Sequence, residues 1–254
     1  MKVKQKSERI YSYLAVASLL AVLLFPTSVY AMHIMEGFLP VNWAIAWAIL
    51  SLPFLVYGIK KMNEKSKSSH MLSLMALAGA FVFVLSAMKI PSVTGSCSHP
   101  TGSGLAAILF GPAISSVLAA IVLLFQAVLL AHGGLTTLGA NIFSMGIVGP
   151  IFAYYAYRLI RGENKDYEQN KHRTWIAVFV AAAGGDLITY VITSLQLALA
   201  HPGENMLASF TKFATVFAVT QIPLAIVEGI ITVIIFSFIA EHNREELSLL
   251  QVSA

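Results

Sequence analysis

The chain has 254 residues, of which 57% are hydrophobic and only 11% are charged, and its formal net charge is +4. Soluble domains carry about 25% charged residues, so this composition excludes an ordinary soluble protein and indicates a chain that crosses a membrane several times. The single cysteine, Cys97, excludes an internal disulfide. The small positive charge is confined to segments between apolar runs and does not indicate nucleic-acid binding.

Common catalytic motifs are absent from the sequence. No glycine is followed by lysine, which excludes the phosphate-binding P-loop and ATP hydrolysis by this chain. Neither the His-Glu-x-x-His of zinc hydrolases nor the Gly-x-Ser-x-Gly of serine hydrolases occurs. The sequence therefore does not indicate an enzyme.

The N-terminus has the three parts of a secretory signal peptide. Four basic residues within residues 1–9 precede a short apolar run, and the small residues Val29 and Ala31 follow at positions suited to cleavage. We predict cleavage after Ala31, which divides the chain into a signal peptide over residues 1–31 and one membrane domain over residues 32–254. An uncleaved N-terminal anchor is the alternative, although the run is shorter than the roughly 20 residues of a membrane-spanning helix.

Six apolar runs follow, and one of them is too long for a single crossing. They cover approximately residues 41–59, 71–89, 104–131, 136–157, 174–199 and 213–240. Gly111 and Pro112 interrupt the third run, and proline removes a backbone donor and clashes with the preceding turn. We therefore predict a short, broken crossing over about 99–111 and a full helix over 113–131, which makes an all-α membrane bundle with seven crossings.

The distribution of positive charge supports seven crossings. With the mature N-terminus outside and the C-terminus in the cytoplasm, all 16 lysines and arginines except Lys89 and Lys212 lie on the cytoplasmic side, as the positive-inside rule expects. With six crossings, the basic loop over residues 158–173 would fall on the wrong face of the membrane.

The segment that leads into the short crossing, residues 90–104, is rich in glycine, serine, threonine and proline. Irregular backbone at membrane depth is tolerated where it is buried in protein or lines a cavity, and transporters bind substrates at such broken elements. The alternative is an ordinary external loop that precedes one long tilted helix.

Two histidines, His33 and His99, fall on the outer side in terminal or glycine-rich surroundings. If Met32 is the first residue, its α-amine, the amide nitrogen of His33 and the His33 imidazole can chelate one ion in a five- and a six-membered ring. Planar nitrogen ligation favours Ni²⁺ or Cu²⁺, with Co²⁺ as their neighbour in the series, and His99 would supply a fourth nitrogen. The alternative is that His33 is a surface residue. We expect His132 at a helix end, where its charge suits the dipole, and His201 in a solvated external loop.

Several sequence blocks resemble the CbiM family, the substrate-specific (S) components of energy-coupling factor (ECF) cobalt transporters. They are spread over the mature chain and read MHIMEGFLP at 32–40, GSCSHPTG at 95–102, AILFGP at 107–112, HGGLTTLGAN at 132–141 and TQIPLAIVEG at 220–229. The related nickel proteins usually begin Met-His-Ile-Pro-Asp-Gly, so Met35 and Glu36 point to the cobalt branch. Ser103 stands where the family more often has threonine, which is a small departure.

The resemblance implies a seven-span fold with the mature N-terminus inserted in the centre of the bundle. It also implies a metal site made by the Met32 amine, the backbone and imidazole nitrogens of His33, and the His99 imidazole. Co²⁺ would be the transported substrate, and no catalytic cofactor is expected.

By the same resemblance, the chain captures Co²⁺ outside a prokaryotic inner or plasma membrane for uptake into cobalamin biosynthesis. The implied partners are a transmembrane coupling (T) protein, ATP-binding cassette ATPases that hydrolyse ATP, and a small accessory membrane subunit. The main alternative is a nickel-specific subunit of the same class. The second alternative is a membrane metalloenzyme that uses His33 and His99. Such an enzyme would need an open coordination position beside an acid or base.

Polar residues within the apolar runs have more than one interpretation. Asp186 and Glu228 lie inside predicted spans, where acids are costly. They could orient a metal-binding imidazole, cap a neighbouring helix or meet each other's backbone. Asn141 could pack against the segment of Met32 and His33, whereas Glu36 is expected to contact a loop.

The small residues Ala44 and Ala48 would allow close approach of another helix to the first span in lipid. In the family, such a surface docks the coupling protein, which favours docking for this pair. The alternative is packing inside the chain.

Overall fold

In the computed structural model, the described residues are 30–31, 33–88, 90–91, 96–162, 167 and 170–242. The predicted signal peptide, apart from its last two residues, lies outside these ranges, and so does Met32.

Most of the described chain is helical. The helices are α1 (Val41–Lys65), α2 (Ser69–Ala87), α3 (Ser103–Phe110), α4 (Pro112–Leu130), α5 (Leu138–Arg161), α6 (Lys171–Ala200) and α7 (Met206–His242). All of them except α3 are long and apolar enough to cross a membrane, since a crossing needs about 20 mostly apolar residues. The prediction of a helical membrane protein is confirmed.

The predicted break at Gly111 and Pro112 is also confirmed. Helix α3 ends at Phe110 and α4 begins at Pro112. Gly111 between them has a φ of 85°, a conformation that side-chain-bearing residues rarely adopt. Every residue of α3 is buried, and its eight residues extend only about 12 Å. The break at Gly111 and the short helix before it thus lie inside protein, as the backbone chemistry of membranes requires.

Helix α5 contains a π-helical stretch, Ile142–Val148, and side chains of α6 bind carbonyls in and before it. Gln196 Nε2 donates to the carbonyl of Ala140 at 3.0 Å, and Thr189 Oγ1, which donates to the Gly185 carbonyl at 2.8 Å, also lies 3.4 Å from that of Ser144. These bonds satisfy backbone groups at an irregular site, where π-helical turns frequently accompany function.

A small sheet lies next to the helices at the start of the described chain. The strands are β1 (Tyr30–Ala31), β2 (Ile90–Pro91) and β3 (Ser96–Ser98), in the order β1-β3-β2. Strand β3 is parallel to β1 and antiparallel to β2, with Cys97 opposite both Ala31 and Pro91. The backbone before residue 32 is therefore paired with the strand that leads to His99.

Of the two alanines predicted to form a docking surface, Ala44 packs inside the chain, whereas Ala48 is exposed and touches α5 through its backbone. Ala44 is buried. A Cβ placed on Gly139 of α5 would collide with the backbone of Ala48, and Ser51 Oγ donates to the Gly139 carbonyl at 2.9 Å. The small residues of α1 thus serve close contact with α5.

Candidate metal centre

Three imidazoles from three separate segments meet in the interior. His33 precedes α1, His99 precedes α3 and His132 follows α4, and their exposed fractions are 2%, 0% and 2%. The ring centroids are 4.5 Å apart for His33 and His99, 4.6 Å for His33 and His132, and 4.9 Å for His99 and His132. One ring nitrogen from each lies within 4.8 Å of the others. Such a set of neutral nitrogen donors has the chemistry of a transition-metal site.

The contacts of the rings indicate which nitrogen of two of them would face a metal. His33 Nε2 lies 3.2 Å from Met145 Sδ, which belongs to the π-helical stretch of α5. His99 Nδ1 lies 2.9 Å from the carbonyl of Pro100, a type of bond that orients metal-binding imidazoles. Coordination would therefore use Nδ1 of His33 and Nε2 of His99. Nδ1 of His33 is also the atom that closes a six-membered chelate ring with the His33 backbone nitrogen.

The segment that carries His33, residues 33–40, is held by α5 through Ile34. The side-chain oxygen of Asn141 accepts from the Ile34 amide at 2.8 Å, while its side-chain nitrogen donates to the Ile34 carbonyl at 3.0 Å. Thr137 Oγ1 donates to the same carbonyl at 2.6 Å. The prediction that Asn141 packs against this part of the chain is confirmed.

The same segment is fixed on its outer side by the loop after α4. Glu36 Oε2 accepts from the Thr136 amide at 3.1 Å, and hydrogen bonds from Thr136 hold the pKa of the Glu36 carboxyl below its usual value. A Cβ on Gly134 would lie 2.5 Å from Glu36 Cα and 2.6 Å from its backbone nitrogen. Glu36 is thus a loop partner, as predicted, and the two backbones touch at a position where only glycine fits.

The segment that carries His99 is held by α7. Glu228 accepts hydrogen bonds from the Thr101 amide at 2.5 Å, from the Thr101 hydroxyl at 2.9 Å and from the Gly102 amide at 2.8 Å. These donors stand at the start of α3, where the helix dipole favours a carboxylate. Of the interpretations given for Glu228, capping of a neighbouring helix is confirmed.

His132 is the member of the cluster that sequence reasoning missed. It follows the end of α4, as predicted, and its amide donates to the Gln126 carbonyl at 3.1 Å. Its ring, however, turns into the cluster instead of remaining at a solvated helix end. The available signal was the Gly133-Gly134 pair beside it, because Gly133 has a φ of 76° and its absent side chain leaves room for His33.

Two further sequence predictions have different outcomes. His201 is exposed, but its Nε2 lies 2.9 Å from the Phe38 carbonyl, so it contacts the His33 segment instead of being only solvated. Asp186 is completely buried in α6, where neither of its carboxylate oxygens has a hydrogen-bond partner among the described residues.

Fold and site together define a class, an integral membrane protein of apolar helices that encloses a cluster of imidazoles. A family described as the cobalt uptake substrate-specific transmembrane region, CbiM, matches residues 33–246. A cobalt transport protein CbiM of Desulforamulus reducens is 57% identical over 87% of this chain and 86% of its own length. Another, of Acetohalobium arabaticum, is 56% identical over 92% of both chains.

The fold is shared with a solved transporter. The crystal structure of a truncated transition metal transporter superposes with a TM-score of 0.70 and 26% identity, over 83% of this chain and 99% of that one. The chain belongs to the CbiM family. Membership identifies it as a membrane component of cobalt transport and not as an enzyme.

Proposed function

We propose that this chain is the S component of an ECF-type transporter, which captures Co²⁺ outside the cell and supplies it to cobalamin biosynthesis. The observation that carries the proposal is the approach of His33, His99 and His132 in the interior, because His33 follows residue 32 directly in the sequence. The names of the relatives favour cobalt over the nickel alternative. Family membership likewise disfavours a membrane metalloenzyme.

The proposed ligands are the Met32 amine, the amide and Nδ1 nitrogens of His33, and Nε2 of His99. His132 adds a third imidazole, which would bind the same ion. Two nitrogens bound to one ion at about 2.1 Å are at most about 4.2 Å apart. The three ring nitrogens, now within 4.8 Å of one another, need to approach by less than about 1 Å to meet that limit.

The proposed chain in the membrane is residues 32–254, after removal of residues 1–31 as a signal peptide. It would cross seven times, with α3 and the His99 segment as the short crossing, the N-terminus outside and the C-terminus in the cytoplasm. The break before Pro112 and the burial of α3 support this topology. Because the chain has no P-loop, transport would need separate ATP-binding cassette ATPases, a T protein and the small accessory subunit.

The purified mature protein provides the test. N-terminal sequencing should begin at Met32, and the same sample should contain one Co²⁺ per chain. Insertion of one alanine between Met32 and His33 enlarges the chelate ring, so cobalt retention should fall sharply. Normal retention by this variant would refute the amine as a ligand.

The imidazoles are tested by alanine substitution with a matched control. His99→Ala should retain little cobalt at normal membrane levels. His132→Ala should retain a weakened site with an altered cobalt absorption spectrum, because it loses one nitrogen but keeps the chelate. His70→Ala, an exposed histidine of α2, should match the wild type. Equal retention by His99→Ala and His70→Ala would remove His99 from the site.

A further inference from the structure

The two longest helices of the protein each carry a buried acid. Asp186 in α6 and Glu228 in α7 are both completely buried, and their carboxyl groups interact electrostatically. Burial of an ionised carboxylate is strongly unfavourable unless hydrogen bonds or an opposite charge compensate it. Acids at membrane depth are accordingly rare and usually functional.

Glu228 is compensated by the start of α3. A carboxylate has about four lone-pair positions, and Glu228 uses three of them for Thr101 and Gly102. It therefore has one acceptor position left on a carboxylate whose place is already fixed.

Asp186 has no such compensation. Both of its oxygens are buried without a hydrogen-bond partner in the part of the chain that the structure describes, and the same holds for the hydroxyl of Thr232. Thr232 is fully buried and stands one turn beyond Glu228 on the same face of α7. Buried polar atoms are nearly always bonded, so three unsatisfied oxygens beside a fixed carboxylate point to a ligand that carries positive charge.

The pair lies next to the histidine cluster. Glu228 binds Thr101, which is only two residues beyond His99. Asp186 is one helical turn from Ala182, whose backbone packs against Gly104 in the first turn of α3. An ion that leaves the imidazoles along the His99 segment towards α3 would meet these carboxylates.

We propose that Asp186, Glu228 and Thr232 form a second cation site, which a divalent ion occupies after it leaves the histidine cluster. Its role in transport rests on the proposed function, but its chemistry does not. Carboxylate and hydroxyl oxygens suit Mn²⁺ and Mg²⁺ better than imidazole nitrogens do. The site therefore binds more weakly and less selectively than the nitrogen cluster, which suits a position from which the ion must depart.

Mn²⁺ is the probe, because its preference for oxygen reports on this site even if the histidine cluster binds nothing. Electron paramagnetic resonance of the purified full-length protein should detect one bound Mn²⁺ per chain. Asp186→Asn, which keeps the shape and removes the charge, should weaken that binding at least about tenfold while leaving the tight Co²⁺ site occupied.

A second variant keeps the test valid if Asp186→Asn misfolds. Thr232→Val should also weaken Mn²⁺ binding several-fold, whereas Thr193→Val should not, because Thr193 Oγ1 already donates to the Thr189 carbonyl at 3.0 Å. Unchanged Mn²⁺ binding in both Asp186→Asn and Thr232→Val overturns the second site, and so does a wild-type protein that binds no Mn²⁺. Loss of Co²⁺ binding with intact Mn²⁺ binding would instead contradict the proposed function alone.

Discussion

Asn141 holds the His33 segment through a single residue, Ile34. Its side-chain amide accepts from the amide and donates to the carbonyl of Ile34, the residue next to His33. Asn141→Asp keeps the size but cannot donate, and it sets a carboxylate against a carbonyl oxygen. Since each such bond contributes about 0.5–1.5 kcal/mol, we expect cobalt retention by the purified variant to fall roughly tenfold.

Asn205→Asp is the matched control for this change. Asn205 lies in an exposed loop and accepts from the Ala208 amide with its side-chain oxygen, which aspartate can also do. Cobalt retention by this variant should equal that of the wild type. Equal retention by both aspartate variants would show that the contact with Ile34 does not position His33.

Glu36 gives a prediction for how cobalt binding depends on pH. Because hydrogen bonds lower its pKa from 4.5 in the folded protein, its contribution to stability is present above that value and is lost only as the pH falls through the lower, folded pKa. Cobalt release between pH 7 and 5, measured by dialysis, should therefore have the same midpoint in the wild type and in Glu36→Gln. A shifted midpoint would assign the release to Glu36.

At the scale of elements, the loop after α4 and the His33 segment fit together through glycine. Gly134→Ala would press a methyl group against the Glu36 backbone, and backbone atoms cannot yield as the end of a flexible side chain can. We expect the segment to be displaced, with overpacking that costs roughly 1–3 kcal/mol and loss of most bound cobalt at near-normal membrane levels.

The control for this variant is Gly203→Ala. Gly203 has a φ of 57° but nothing within 4 Å of an added Cβ, so it tests backbone strain without a clash. Its cobalt content should remain close to that of the wild type. If Gly134→Ala also retains its cobalt, the contact with Glu36 does not hold the His33 segment in place.

For the whole molecule, the prediction concerns topology. In a Cys97→Ala background, cysteines at Ser66 and Asn170 should react with an impermeant thiol reagent only after the cells are permeabilised, because seven crossings place both loops inside. A cysteine at Asn205 should react in intact cells. Labelling of the Asn170 position from outside would leave only six crossings and remove the short one.

Properties that depend on local chemistry were determined by the sequence itself. Composition and run length gave the helical membrane architecture, since every backbone group in lipid must be bonded within the helix. The break at Pro112 follows from the missing amide of proline. The choice of His33 and His99 as candidate ligands needed only the chain around each residue and the resemblance to a family. The signal peptide, the Met32 amine and the seventh crossing remain predictions.

The tertiary structure decided which distant residues meet. His132 joined the cluster because α4 ends beside the two candidate ligands, and Asn141 reached Ile34 across 107 positions of sequence. Packing also placed Glu228 on the start of α3 and turned Ala44 towards the interior. Such contacts depend on the angles at which the helices cross and on how closely small residues allow two helices to approach. These contacts cannot be predicted from the periodicity of one segment, because each contact depends on two surfaces.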